Sequence, residues 1–231
     1  MKLYLDTGNI EEIREVAALG VLDGVTTNPT LIAREGKDFT QVIREIVGIL
    51  KATGKEFTVS AEVTDLHADK MVEQGRALAA IDPHVVVKVP LIPEGIAAVH
   101  RLSREGIRTN VTLCFSTNQA LLAAKAGAFI VSPFVGRLDD IGEQGLGLIR
   151  DIRRVFDNYH FTTQILTASI RHPLHVTEAA LAGSDIATIP KQVFMKLFHH
   201  PLTEQGNEKF LRDWRAYEEQ LRRGTQHGGA Q

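Results

Sequence analysis

The sequence has a single cysteine, Cys114, among its 231 residues. One thiol excludes an internal disulfide and a cysteine-based metal cluster. The nine histidines are scattered without the H-E-x-x-H spacing of a zinc site. The pair His199-His200 directly precedes Pro201, which is more typical of a helix end at the surface than of two metal ligands. We therefore expect no metal site.

The sequence also has no excess of charge of one sign and no long apolar run. Its formal net charge is -2 and its pI is near 6.5, which gives no electrostatic reason to bind nucleic acid or an anionic membrane. No apolar stretch is long enough to span a bilayer, and the segment from Lys2 to Asp6 does not have the features of a signal peptide. We expect neither a nucleic-acid nor a membrane partner, and a cytoplasmic location.

Short apolar runs alternate regularly with amphipathic segments. With 44% hydrophobic and 23% charged residues, the chain is long enough for one large domain or two small ones. The apolar runs predict strands over Leu3 to Asp6, Val21 to Asn28, Phe57 to Val63, Val85 to Pro90, Ile107 to Leu113, Ala128 to Phe134, Phe161 to Ser169 and Asp185 to Pro190. Helices are predicted over Ile10 to Leu19, from Pro29, and over Phe39 to Ala52, Ala68 to Ala80, Pro93 to Arg104, Asn118 to Ala126 with Thr117 as its cap, Glu143 to Phe156, Pro173 to Ala182, Gln192 to His199 and Thr203 to Arg222, with a loop over Gly136 to Asp140.

This alternation predicts parallel strands joined by right-handed crossovers. About eight such units in a chain of this length fit a closed (β/α)8 barrel. The alternative is an open, doubly wound sheet, which is weakened because no G-x-G-x-x-G follows the first strand. We predict an α/β protein with a single-domain TIM barrel and an extra C-terminal helix in residues 1–222. The Gly-rich tail, residues 223–231, is predicted to be disordered.

The most informative residue is Lys88, which lies inside the apolar, β-branched run Val85 to Pro90. Such a run has the composition of a strand that is buried on both faces. A buried ammonium requires a carboxylate partner, or else it loses its proton and becomes a neutral amine. A neutral lysine is the nucleophile of enzymes that form a Schiff base. The alternative is a structural salt bridge at the end of a strand.

Polar residues interrupt most of the predicted strands near their C-terminal ends, the end at which barrels of this kind carry their chemistry. They are Asp6, Thr26, Asn28, Glu62, Lys88, Asn110, Thr112, Ser132 and Ser169. Taken singly, Thr26 and Asn28 fit turn or cap residues, and Asp6 and Glu62 fit structural partners of lysine or of backbone amides. Together they favour one site, because independent capping needs would not concentrate around one buried lysine.

Two arginines, Arg137 and Arg171, follow the sixth and seventh predicted strands, with Ser132 nearby. Paired guanidinium groups with a hydroxyl at this end of a barrel suit a phosphate, which arginine grips with two parallel hydrogen bonds. The alternative is a surface ion pair, for example of Arg137 with Asp139 or Asp140.

These residue types fit a Schiff-base aldolase mechanism. Such an enzyme needs an amine, a group that moves protons as water leaves, and a base for the hydroxyl proton when the carbon–carbon bond breaks. Lys88 supplies the amine, and Glu62 with Thr112 would manage water and protons. Asp6 would be the base at the breaking bond, while Asn28 and Asn110 would hold substrate hydroxyls.

Four motifs of the sequence resemble those of the transaldolases, specifically their short bacterial and archaeal subfamily. They are DGVTTNPTL from Asp23 to Leu31, VVKVP from Val86 to Pro90, VSPFVGRLDD from Val131 to Asp140 and TQILTASIR from Thr163 to Arg171. The resemblance extends from Met1 to about Arg215. It implies a (β/α)8 barrel with the Schiff-base lysine on the fourth strand. It also implies transfer of a dihydroxyacetone unit from fructose 6-phosphate or sedoheptulose 7-phosphate to an aldose phosphate, in the non-oxidative pentose phosphate pathway and without a cofactor.

The resemblance also implies roles for residues. Lys88 would form the Schiff base, Asp6 would be the acid and base at bond cleavage, and Glu62 and Thr112 would handle the catalytic water. Thr26, Asn28 and Asn110 would position the sugar, and Ser132, Arg137 and Arg171 the phosphate, with Phe134 and Ser169 counted among the substrate-binding residues. Short members of the family form pentamers or decamers in which the C-terminal helix packs on a neighbour. Thr203 to Arg222 would do so here, and packing on its own barrel is the alternative.

The resemblance extends to a related group, the fructose 6-phosphate aldolases, which have glutamine at the position of Glu62 and tyrosine at that of Phe134. A carboxylate holds and deprotonates water as an amide cannot, and Phe134 lacks the proton of a phenol. The sequence therefore predicts group transfer, with aldolase activity as the alternative. A phosphosugar isomerase or epimerase with Lys88 as an electrostatic ligand, and a non-catalytic scaffold, are further alternatives.

Overall fold

The structure is a computed structural model that describes residues 1–33, 35–36 and 38–227. The strands are Lys2–Asp6 (β1), Gly24–Thr26 (β2), Thr58–Glu62 (β3), Val85–Pro90 (β4), Thr109–Cys114 (β5), Ile130–Pro133 (β6), Gln164–Thr167 (β7) and Ile186–Ile189 (β8). The helices are Ile10–Ala18 (α1), Pro29–Ala33 (α2), Phe39–Lys51 (α3), Ala68–Ala79 (α4), Pro93–Arg104 (α5), Thr117–Lys125 (α6), Val135–Asp139 (α7), Gly145–Tyr159 (α8), Pro173–Leu181 (α9), Lys191–Lys196 (α10) and Pro201–His227 (α11).

The strands pair in chain order, all parallel, and β1 pairs with β8, so the sheet closes into a barrel. The predicted (β/α)8 barrel is confirmed, and the open doubly wound sheet is excluded because an open sheet has no pairing between its first and last strands. The barrel belongs to a compact unit, Met1–Phe194, and a second unit begins at Met195 and contains α11. No helix in the described ranges is both long and apolar enough to cross a membrane.

The interior of the barrel has an apolar floor and a polar upper layer. Tyr4, Val86, Ile130, Leu166 and Ile186 form a buried cluster, with Ala168 beside them. Because side chains alternate along a strand, the residue two positions later points to the same side. Two positions after four of these floor residues stand Asp6, Lys88, Ser132 and Thr188. The alternation of side chains along each strand therefore places these polar residues inside the barrel, one layer above the floor and nearer its C-terminal end.

Tyr4 shows how tightly the floor is filled. Its hydroxyl is 2.7 Å from Oγ1 of Thr58 in a buried hydrogen bond, and its ring lies against Gly24. A Cβ at Gly24 would lie 2.6 Å from Cζ of Tyr4, closer than any real Cβ contact. The floor is therefore closely packed around Tyr4.

Besides shifts of a few residues at the ends of other elements, four details differ from the prediction. The segment Gly136 to Asp140, predicted as a loop, is mostly the short helix α7, because backbone N–H groups of Val135 and Gly136 donate to carbonyls after β7. Ser116, and not Thr117, caps α6, since its Oγ accepts from the amide of Gln119 at 3.2 Å.

The other two differences concern the C-terminal part of the chain. Helix α11 begins two residues earlier than predicted, at Pro201, as proline tolerates the first turn of a helix. It also continues to His227, which is within the tail predicted to be disordered. Residues 228–231 of that tail lie outside the described residues.

Candidate active site

A cavity of about 180 Å³ opens at the C-terminal end of the barrel. Of the twelve side chains predicted to form a site, all but Glu62, Asn110 and Thr112 line it. A larger cavity of about 470 Å³ lies beside α3 and α4, and Glu62 borders it without Lys88 or Asp6. The smaller cavity is the candidate active site, because Lys88, Asp6 and both arginines line it.

Lys88 on β4 is buried, with 6% of its surface exposed. Its Nζ lies 3.1 Å from Oε2 of Glu62, and it donates a hydrogen bond of 3.1 Å to the carbonyl oxygen of Thr27. Glu62 reaches it because β3 and β4 pair in register, with Glu62 opposite Lys88. The sequence allowed either a carboxylate partner for this lysine or the loss of its proton, and the structure shows a carboxylate partner.

Asp6 at the end of β1 faces the cavity with a different set of contacts. Oγ1 of Thr26 donates to its Oδ1 at 2.8 Å. Thr188 lies 2.6 Å from the same Thr26 oxygen, and it must be the donor there because Thr26 has given its one proton to Asp6. Burial raises the pKa of Asp6, an effect that the charge of Lys88 and the hydrogen bond from Thr26 only partly offset. A carboxyl group in this state is suited to taking up and returning a proton.

Asn110 on β5 lies at the centre of a buried hydrogen-bond chain. Oγ of Ser132 donates to its Oδ1 at 2.6 Å, and its Nδ2 donates to Oγ of Ser60 at 3.1 Å. Asn110 stands opposite Lys88 in the strand register. Its amide is therefore fixed next to the lysine by partners on both sides, whereas Ser132 also reaches the cavity.

Thr112 stands two residues after Asn110 on the same strand. Its Oγ1 is buried and makes no hydrogen bond to any part of the chain that the structure describes. A buried hydroxyl without a partner is unfavourable by about 1–3 kcal/mol. The hydrogen-bonding capacity of this hydroxyl is therefore unused among the described residues.

Asn28 is both a cap residue of a helix and a lining residue of the cavity. Its Oδ1 accepts a hydrogen bond of 2.9 Å from the amide of Leu31, in the first turn of α2. It also lines the cavity. The cap fixes the side chain by its oxygen.

Four residues that follow β6 and β7 form the rim of the cavity. They are Phe134 and Arg137 after β6, and Ser169 and Arg171 after β7. The guanidinium of Arg137 lies over the ring of Phe134, 5.0 Å from its centroid, and Phe115 contacts the same ring edge-on at 5.7 Å. Arg171 pairs with Asp140, Nη2 to Oδ2 at 2.9 Å. The surface ion pair that the sequence allowed as an alternative is therefore present, but it uses Arg171. In the described part of the chain Arg137 pairs with neither of the two example partners: Asp140 binds Arg171, and Asp139 binds His175.

The two rim segments touch through their backbones. The amide of Gly136 donates to the carbonyl oxygen of Ser169 at 3.1 Å. A Cβ at position 136 would lie 2.1 Å from that oxygen and 2.8 Å from Cγ of Arg171. Ser169 has a φ of +60°, an uncommon conformation for a residue with a side chain. Glycine at 136 thus permits the contact that brings Arg137 and Arg171 to one rim.

The sequence reasoning missed three contributors. Thr188 and Ser60 are polar residues inside short apolar strands. The same signal identified the other site residues, so it could have identified these two as well. Thr27 contributes only its carbonyl oxygen, for which side-chain chemistry gives no signal. In the described ranges no group of three or more His, Cys, Asp or Glu side chains is arranged to hold a metal ion.

A family model described as Transaldolase/Fructose-6-phosphate aldolase matches residues 3–227. The chain belongs to this family. A probable transaldolase of Kosmotoga olearia is 58% identical over 225 residues, which cover 97% of this chain and 99% of the relative. A probable transaldolase of Methanococcus maripaludis is 57% identical over 217 residues, with coverage of 94% and 99%. Probable transaldolase 1 of Listeria monocytogenes is 54% identical over 216 residues, again with coverage of 94% and 99%.

Membership of the transaldolase/fructose-6-phosphate aldolase family confirms the resemblance that the sequence motifs indicated, and it makes the protein an enzyme of a transferase family. The barrel also resembles that of thiamine phosphate pyrophosphorylase from Pyrococcus furiosus, with a TM-score of 0.57 and 16% identity, over 82% of this chain and 85% of that one. At this identity the likeness shows the fold alone.

Proposed function

We propose that the protein is a transaldolase, which moves a dihydroxyacetone unit from fructose 6-phosphate or sedoheptulose 7-phosphate to an aldose phosphate. The acceptors would be erythrose 4-phosphate and glyceraldehyde 3-phosphate. The observation that carries the proposal is the buried pair of Lys88 and Glu62, 3.1 Å apart, with Asp6 lining the same cavity as Lys88. This arrangement supplies a nucleophile and two carboxylates with different contacts.

The first half of the reaction forms the Schiff base. Once its proton has passed to Glu62, Lys88 attacks the ketose carbonyl and gives a carbinolamine. Glu62 then returns a proton to the departing hydroxyl, and water leaves with formation of the iminium. Thr112, whose hydroxyl has no partner among the described residues, would hold that water.

The second half breaks the carbon–carbon bond. Asp6 takes the proton from the hydroxyl on C4, the bond between C3 and C4 breaks, and its electrons move into the iminium to give an enamine. The aldose phosphate leaves. Attack of the enamine on an acceptor aldehyde reverses these steps, with Asp6 returning the proton, and hydrolysis of the new iminium frees Lys88.

Substrate binding would be divided between polar residues on the strands and the residues of the rim. Asn110 is fixed by hydrogen bonds to Ser60 and Ser132, and with Thr26 and Asn28 it would hold the sugar hydroxyls. Arg137 and Arg171 on the rim would bind the phosphate with Ser132 and Ser169. Ser132 donates its proton to Asn110, so it would have to rotate to donate to a phosphate.

The second candidate function is that of a fructose 6-phosphate aldolase, which releases free dihydroxyacetone. It differs in what becomes of the enamine, which must gain a proton at carbon before the product can leave. Phe134 lines the cavity and has no proton to give. The enamine should therefore persist until an acceptor arrives, which favours transfer.

The deciding experiment measures glyceraldehyde 3-phosphate formed from fructose 6-phosphate, with and without erythrose 4-phosphate. Product that needs the acceptor supports a transaldolase, and equal product without it supports an aldolase. The double substitution Glu62→Gln and Phe134→Tyr should shift the protein toward release of dihydroxyacetone. An unchanged product ratio would refute the argument from these two side chains.

An isomerase with Lys88 as an electrostatic ligand would form no covalent intermediate. Borohydride reduction in the presence of fructose 6-phosphate separates the two mechanisms, because only an iminium is trapped on the protein. The same experiment in Lys88→Ala should give no adduct, whereas turnover that survives in this variant would exclude the covalent mechanism.

We also propose a homo-oligomer, a pentamer or decamer, that uses α11. Along this helix Phe210, Leu211, Trp214 and Tyr217 are all at least 49% exposed, which is unusual for large apolar side chains. Light scattering of the purified protein would give the subunit number, and a monomer would refute the proposal. The cytoplasmic location stays a prediction.

A further inference from the structure

His175 on α9 is a buried histidine that the proposed reaction does not use. Its Nε2 lies 2.9 Å from Oδ2 of Asp139 on α7. Its Nδ1 accepts a hydrogen bond of 3.3 Å from the backbone amide of Arg171. Because Nδ1 accepts a hydrogen bond, it carries no proton itself, which leaves Nε2 as the donor to Asp139 in a neutral ring.

The surroundings of His175 favour this neutral form. Its side chain is 6% exposed, and its ring centroid lies 3.7 Å from that of His172. Burial and the proximity of His172 lower the pKa of His175, and Asp139 offsets this only in part. A neutral ring with one donor and one acceptor makes both contacts at the same time.

The two contacts of His175 join the segments that carry the two arginines of the rim. Asp139 belongs to the same short helix as Arg137, and its other oxygen accepts from the amide of Gly145 at 2.9 Å. Arg171 receives a second contact from Asp140, the residue directly after α7. The histidine therefore fixes the backbone of one arginine to the helix that carries the other.

We infer that His175 is a positioning residue for phosphate binding, which sets the separation of Arg137 and Arg171 without touching the substrate. The inference rests on the proposed function, in which these two arginines hold the substrate phosphate. A phosphate is gripped well only by guanidinium groups held at a fixed spacing. The side chain of Arg171 is about half exposed, at 52%, so most of its order must come from Asp140 and from its backbone.

Three substitutions separate the two contacts. His175→Asn keeps an acceptor near the position of Nδ1 but does not reach Asp139. His175→Gln keeps a donor near the position of Nε2 but loses the acceptor for Arg171. His175→Phe keeps the size of the ring and loses both. His84→Gln is the control, because His84 is a partly buried histidine that pairs with Asp82 at the opposite end of the barrel.

The test compares a substrate that has a phosphate with one that lacks it. The ratio of kcat/KM for fructose 6-phosphate to that for fructose should fall about tenfold in His175→Phe, as expected if the displaced arginines give the phosphate one hydrogen bond fewer, a loss of about 1.4 kcal/mol. The value for fructose should stay within about twofold of the wild type. Calorimetry with inorganic phosphate should show the same tenfold loss of affinity without any turnover.

His175→Asn and His175→Gln should each recover part of the affinity for phosphate, and His84→Gln should change neither the ratio nor the affinity. Equal losses for fructose 6-phosphate and fructose would overturn the inference, because they would mean a purely structural role. So would unchanged phosphate affinity in His175→Phe, or no recovery by either polar variant.

Failure of the proposed function gives a different result. In that case the wild type forms no borohydride-trapped adduct, while calorimetry still reports how His175 affects phosphate binding. If His175→Phe does not fold, the comparison of His175→Asn and His175→Gln with the wild type decides by the same two measurements.

Discussion

The contact between Lys88 and Glu62 predicts a large change in stability when only one of the two charges is removed. The perturbation is Lys88→Met, compared with the double substitution Lys88→Met and Glu62→Gln. Both variants lose the hydrogen bond from Lys88 to the carbonyl of Thr27. They differ only in whether Glu62 keeps a negative charge without the ammonium beside it.

The magnitude follows from burial and distance. The side chains of Lys88 and Glu62 are 7% and 14% exposed and lie 3.1 Å apart. Removing one member of such a buried pair costs about 3–5 kcal/mol, whereas replacing both with neutral residues of similar size is often close to neutral. For a chain of this length that loss lowers the Tm by roughly 10 °C, and the double variant should regain most of it.

The assay is thermal and urea unfolding of both variants, followed by mass spectrometry after borohydride reduction with fructose 6-phosphate. Lys70→Met is the matched control, since Lys70 pairs with Glu73 at 2.9 Å on the exposed face of α4 and its loss should leave the Tm unchanged. A single variant as stable as the double variant would refute the coupling of the buried pair. An adduct in either Lys88 variant would refute Lys88 as the nucleophile.

Three further predictions concern other positions. Burial raises the pKa of Asp6, so its contribution to stability is present at low pH and is lost as the pH rises through its pKa in the folded protein. The Tm of Asp6→Asn minus that of the wild type should therefore grow with pH, and a constant difference would contradict this. The kcat of Asp6→Asn should fall about 10²–10⁴-fold below that of the wild type. Gly136→Ala should lower stability by about 1–3 kcal/mol in urea unfolding, because its Cβ would meet the Ser169 carbonyl at 2.1 Å, whereas Gly147→Ala, which has room at that position, should not. Burial raises the pKa of Cys114 to about 12, so iodoacetamide at pH 8 should label only unfolded protein, and rapid labelling of the native enzyme would contradict the buried position.

The barrel itself could be predicted from the sequence because its signals are local and repeated. Each short apolar run followed by an amphipathic segment predicts one unit, and the number of units predicts closure. Side-chain alternation adds the position of the site, since Tyr4 and Asp6, or Val86 and Lys88, must face the same side. These patterns depend on nothing outside the segment in which they are found.

The elements that were predicted wrongly depend on contacts between distant segments. Helix α7 forms where the sequence indicates a loop, because its first amide groups donate to the carbonyls of Ala168 and Ser169, more than thirty residues away in the chain. The pairing of Arg171 with Asp140, and of His175 with Asp139, depends on the same junction. No periodicity within Val135 to Asp140 could show which carboxylate each cation would meet.

The two carboxylates of the site have different neighbours, and this difference supports the separate roles that we propose for them. Glu62 contacts the ammonium of Lys88 directly, so in the proposed mechanism it would pass protons to and from the lysine nitrogen. Asp6 accepts a hydrogen bond from the hydroxyl of Thr26 and forms no ion pair with any cation in the described part of the chain, and its raised pKa means that it holds a proton more readily than an ordinary aspartate. A group that must accept a hydroxyl proton at bond cleavage and return it when the acceptor binds needs this property. Exchange of the two environments, and not only of the two residues, would therefore be required to exchange their functions.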